Sequence, residues 1–260
     1  MWRSFAREPA RGLQKGLRRS LENAAREQWW ASVPADVAAM AASSSGWAAG
    51  AALLRPPTER VLQMPDFVVR IAVCERFCID TAGYDHCSQV SRTGRLGGRA
   101  LRGGAHSHCC GGTIGVRTTQ RHNPLVLEFA RILAAAGRVV ATEQRDPSIG
   151  PNARLDIGEY ASDAGSPADL REACAAEPGL AAEQRHAFKL AQQYAQRRPG
   201  SALVPLVAEI GGRWHPSVPL LVRRLAKEAS SRVGSSGQTY AAALSSRWAA
   251  RLSAFLLRGN

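Results

Sequence analysis

Between residues 122 and 210 the apolar residues change their spacing repeatedly, and this alternation limits the fold more than any other feature of the chain. Asn123-Pro124 reads as a helix N-cap followed by proline at the first helical position. Leu125, Phe129, Ile132 and Leu133 then recur at helical spacing, and Gly137 is placed to close that helix. Val139-Val140-Ala141 reads as a strand leading to Glu143, and Leu155 to Tyr160 as a second. Ala168 to Ala173 makes a third strand of low β propensity. Leu180 to Arg197 is a helix with Ala187, Leu190, Ala191 and Tyr194 on one face, ended by Pro199-Gly200. Ala202 to Ile210 is a fourth strand, before Gly211-Gly212. Helix, three strands, helix, strand predicts an α+β fold, an α/β sandwich.

The flanks read as helical. Over residues 1–42, Leu13, Leu17, Leu21 and Ala24 recur at three and four, with Arg and Lys between them. Such a helix is expected to pack on something outside this chain. Ser43-Ser44-Ser45-Gly46 and Pro56-Pro57 break the pattern, and Asp66 to Ala72 reads as a short helix. Two helices, over 217–230 and 238–257, finish the chain. The expected organisation is a helical linker region (1–70), a Cys/His-rich basic region (71–121), an α/β domain (122–215) and C-terminal helices (216–260).

Charge narrows the partners. The chain has 34 Lys+Arg against 21 Asp+Glu, a net charge of +13. Such an excess suits a polyanion, nucleic acid first, although compositional drift toward Arg and Ala gives the same numbers. Ser88 to Leu127 holds six arginines and no acidic residue, so it is a flexible basic loop or a nucleic-acid contact. Val37 to Leu54 is uncharged, but its Ala, Ser and Gly content makes a poor membrane span. The arginine-rich start suggests a transit peptide, and Glu8, Glu22 and Glu27 argue against one. With no secretory signal, the expectation is a soluble chain without a membrane partner, in the cytosol or nucleus.

Two groups of residues carry candidate chemistry. Asp156 and Asp169 sit on apolar runs separated by the turn Gly165-Ser166-Pro167, so a hairpin would bring their carboxylates together. Paired carboxylates suit a hard divalent cation; the alternative is two surface acids beside a turn. Five of the six cysteines lie within 37 positions, among His86, His106 and His108. Cys74 and Cys78, with His106 and Cys110, supply the four ligands that tetrahedral zinc needs, across a 27-residue gap. His86, Cys87, His108 and Cys109 compete for the same role, and free thiols are the alternative. Glu128 and Glu143 are further candidate acids, while His186 reads as an exposed helix position.

The α-β-β-β-α-β order, with Asp156 followed after twelve residues by Asp169-Leu170-Arg171, resembles the restriction-endonuclease-like PD-(D/E)XK core, here with helical N- and C-terminal flanks. Arg171 stands where that pattern has lysine, and Leu155 where it has proline. Arg121-His122-Asn123 before the strands, Lys189 and Tyr194 after them, and the upstream Cys/His cluster extend the likeness over about residues 70–215. The whole resembles the C-terminal region of site-specific non-LTR retrotransposon reverse transcriptase proteins, in which a zinc knuckle precedes an endonuclease. The resemblance implies a DNA endonuclease whose Mg²⁺ is held by Asp156 and Asp169. Lys189 would stabilise developing charge and supply the basic role that Arg171, which stays protonated, cannot, while Arg171 could still neutralise a phosphate or orient a water. Arg117, Arg121, Arg154 and Tyr194 would contact nucleic acid, and the cluster would bind Zn²⁺. It further implies nuclear location, DNA or RNA as partner, and a reverse transcriptase region absent from this chain. The chain would then be the tail of a longer polyprotein, or a remnant whose nuclease site has decayed into a nucleic-acid-binding module.

Overall fold

The computed structural model describes residues 8–77, 114–140, 157–160, 176–193, 204–209, 211–234 and 238–258. Seven α-helices carry most of these residues: α1 (Glu8–Ser32), α2 (Ala35–Ser43), α3 (Asp66–Phe77), α4 (Ile114–Ala135), α5 (Leu180–Phe188), α6 (Ser217–Arg232) and α7 (Gln238–Arg258). A π-turn, Lys189–Gln193, continues α5. Strands β1 (Ile157–Tyr160) and β2 (Leu206–Glu209) pair in parallel, Ile157 opposite Leu206 and Tyr160 opposite Glu209.

The expected α/β sandwich on a restriction-endonuclease-like core is therefore overturned: helices dominate, and the described sheet is one pair of four-residue strands. The reason lies in what fills the interior. Val218, Val222, Leu225, Ala226 and Ala229 form one stripe of α6. They meet Leu125, Phe129 and Ile132 of α4 and Trp248, Leu252 and Leu256 of α7. The opposite side of α7 buries Ala250, Ala254 and Leu257 against Ala52, Leu62 and Ala72. A helix buried on both sides takes the central place that a sheet would occupy.

Several local expectations change for stated reasons. The first core helix does not begin at Asn123; α4 starts at Ile114 and runs through Pro124. An internal proline removes one ladder hydrogen bond and costs ~3 kcal/mol. Burial of Leu125, Phe129 and Ile132 on the next turns offsets that. Gly137, at φ +78, closes the helix as the sequence predicts, with its N–H donating to the Ala134 carbonyl. Val139 and Val140 are not strand, and Val139 is wholly exposed. Arg138 grips Glu228 of α6 at 2.8 and 3.1 Å, which draws this segment along the helices. Ala168 to Ala173, the expected third strand, lies outside the described residues. Residues 1–42 divide at Val33-Pro34 into α1 and α2, because proline disfavours helix in the residue before it. Leu17 and Leu21 on α1 stay 57% and 71% exposed, so its apolar stripe is left open among the described residues.

The turn after β2 ties the two halves of the chain. Gly212 (φ +95) donates to the Glu209 carbonyl, and His215 N–H returns to Val207 at 3.0 Å, which carries Trp214 into the core. A Cβ on Gly211 would sit 2.5 Å from backbone atoms of Ser43 and Ser44, so only glycine permits this approach. Arg213 then donates to the Ala42 carbonyl at 2.8 Å and to the Ser45 hydroxyl. Its charge sits at the C-terminus of α2, where carbonyls lack helical partners. No helix among the described residues is long and apolar enough to cross a membrane.

Candidate nucleic-acid interface

On α6 the face away from the apolar stripe carries Arg223, Arg224 and Lys227. Arg224 lies 3.8 Å from Glu228, which also holds Arg138. Arg223 and Lys227, one helical turn apart, are exposed and have no ion-pair partner among the described residues. They edge a groove of about 820 Å³ between α6, α7 and the segment at Trp47. Its apolar lining includes Trp47, Ala48 and Ala249, and its hydroxyls include Ser245 and Ser246. Ser246 is itself bonded by Arg55. Among the described residues no acidic side chain lines the groove.

Trp47 sits between Gly46 at φ +99 and Ala48 at φ +61. A left-handed alanine costs roughly 1–2 kcal/mol. The surrounding contacts sustain it: Ala48 belongs to the main core cluster, and Trp47 packs on that cluster while keeping part of its surface open. Strain of this kind collects at sites where a side chain must be held at a set angle.

A second polar cluster joins α5 to the start of α6. His215 Nε2 lies 2.7 Å from Glu183 Oε2, and its Nδ1 lies 2.7 Å from Ser217 Oγ. The Ser217 backbone N–H also donates to Nδ1 at 3.2 Å, which makes the imidazole a helix cap and directs its N–H at Glu183. His186 is not an exposed helix position: it stacks on His215 at 3.7 Å with 9° between the rings. Burial, then the neighbouring His215, lowers the His186 pKa, against the pull of Glu183. Sequence spacing carried no sign of this cluster, because Glu183 and His215 stand on different elements.

The residues singled out from the sequence fall in varied places. Lys189 is 1% exposed on the π-turn and is partnered there. Arg121 is 3% exposed and directed inward on α4, and Arg117 lies on the same helix. Cys74 is a half-buried free thiol on α3. Glu128 is buried and bonded to Arg251, so it is engaged in holding helices together. Asp156, Asp169, Arg171, Arg154, Tyr194, Glu143, Cys78, His106 and Cys110 lie outside the described residues. Among the described residues, no group of three or more His, Cys, Asp or Glu side chains is placed to hold a metal ion. Arg223, Lys227 and Trp47 were not distinguished by sequence; the signal was the i, i+4 pair of cations opposite the apolar stripe of α6. No protein family, curated protein or solved structure matches this chain.

Proposed function

We propose that this chain is a nucleic-acid-binding module. The observation that carries the reading is the groove beside α6, edged by Arg223 and Lys227, which have no ion-pair partner among the described residues, and lined by no acid among them. Unneutralised cations on a concave surface attract phosphates and release their counterions, and the net charge of +13 steers the approach. The expected result is an affinity for labelled oligonucleotides that falls linearly with salt on a log–log plot. For a single strand, Arg223→Ala/Lys227→Ala lowers that slope by about 1.4, since each phosphate contact contributes about 0.7. Affinity unchanged by salt would reject the proposal.

Metal-dependent cleavage of DNA is the second reading, and a specific feature favours it. Asp156 directly precedes β1 in sequence, and α5, which leads into the π-turn of the buried Lys189, packs on β1. Asp156 and Asp169 would hold the Mg²⁺, and the metal would supply Lewis-acid polarisation of the phosphate. Plasmid nicking in Mg²⁺ by the wild-type chain, lost in Asp156→Ala, is the expected outcome. Equal nicking by both proteins rejects it.

A further inference from the structure

We propose that the groove beside α6 takes single-stranded nucleic acid, one unstacked base lying on Trp47 and the adjoining phosphates on Arg223 and Lys227. This rests on the nucleic-acid reading above and goes further by naming the form of the ligand.

Shape makes the first argument. Proteins that read a duplex push a helix or β-ribbon into its grooves, so their basic residues stand on a protruding element. Here Arg223 and Lys227 border a hollow, and the nucleic acid must enter the protein. A hollow of about 820 Å³ is in the size range of small-ligand clefts, which suits a base and its sugar rather than a double helix.

Chemistry makes the second. The lining carries both parts that a nucleotide needs: Trp47 offers an aromatic face for a base, and Arg223 and Lys227 offer sites for phosphate. An aromatic platform beside basic residues is how strands are held without reading their sequence. An acidic peptide would satisfy the cations and leave the indole unused.

Backbone geometry makes the third. Trp47 stands between two left-handed residues, Gly46 and Ala48, one of them not glycine. This backbone is held against its own conformational preference, and the indole it carries is half-buried.

The test uses the full chain with a labelled thymidine oligonucleotide of about 12 nucleotides, the matching duplex, and polyglutamate as competitor. Single strand is expected to bind more tightly than duplex at equal salt. Trp47→Leu, which keeps apolar bulk and removes the π face, is expected to weaken single-strand binding roughly 5- to 150-fold and duplex binding by less. Trp47→Phe, which keeps a ring, is expected to retain most of the affinity. Equal losses in Leu and Phe variants, no loss in Trp47→Leu, a preference for duplex, or displacement by polyglutamate at equal charge would each overturn the inference while leaving polyanion binding in place. Failure of both probes to bind would instead remove the nucleic-acid reading on which it rests.

Discussion

Arg251→Ala lowers the unfolding free energy by about 3–5 kcal/mol, read from urea denaturation. Arg251 of α7 grips Glu128 of α4 through two bonds, Nε to Oε1 at 2.5 Å and Nη2 to Oε2 at 2.9 Å. Its remaining Nη1 donates to Glu59 at 2.8 Å, and Arg247 donates to the other Glu59 oxygen at 2.7 Å. The Glu128 hydrogen bond pushes the Arg251 pKa further up, against burial. Removing the guanidinium leaves the buried Glu128 carboxylate to the longer contact with Arg131 at 3.4 Å, and a poorly compensated buried charge costs more than the net value of the pair. Glu128→Leu/Arg251→Met, which removes both charges, therefore recovers most of the loss. A cost below about 1 kcal/mol for Arg251→Ala, typical of an exposed pair, would show that the network is solvated. Acid should weaken part of the same network. Burial alone would raise the Glu59 carboxyl, but hydrogen bonds from Arg247 and Arg251 hold it below its ordinary value. The unfolded chain then binds the proton first as pH falls. This contribution is full above the ordinary carboxylate range and is lost as pH drops through the lowered folded value.

Phe129→Ala costs about 3–5 kcal/mol by the same measurement. The ring is buried and meets Trp214 edge to face, with centroids 5.9 Å apart at 70°. Val222 and Leu225 of α6 and Trp248 and Leu252 of α7 complete the cluster. Close-packed helices on three sides relax little into the space left behind, so the cavity cost adds to the lost transfer energy. The near-UV circular dichroism of Trp214 should fall in parallel. A loss under about 1.5 kcal/mol, the scale of a tolerated hydrophobic swap, would mean that the core refills and that Phe129 is not central to it.

These two sites also show how far local pattern carries. Phe129 was legible as a core residue, because its spacing from Leu125 and Ile132 marks one helix face. Glu128, one position earlier, gave no such sign. A carboxylate beside an apolar stripe has the same local pattern whether it meets water or Arg251, more than 100 positions away. The groove has the same character. Arg223 and Lys227 are two among 34 basic residues until α7 and Trp47 close around them.

By itself, the sequence determined the local segments. The paired closing helices, expected over 217–230 and 238–257, stand at Ser217–Arg232 and Gln238–Arg258. The start of α5 at Leu180, the glycine that ends α4, and strand within 155–160 and 202–210 were also written locally. Helical and extended periods differ over a few residues, so nearby side chains suffice to choose between them. Only the tertiary structure decided what fills the centre. The strands, four residues each, carry the same local pattern in an isolated pair as in a full sheet. That α7 takes the core position, and that α4 continues back through Pro124, follow from burial against partners far along the chain. Burial energy depends on which surfaces meet, and no window of local sequence contains that pairing.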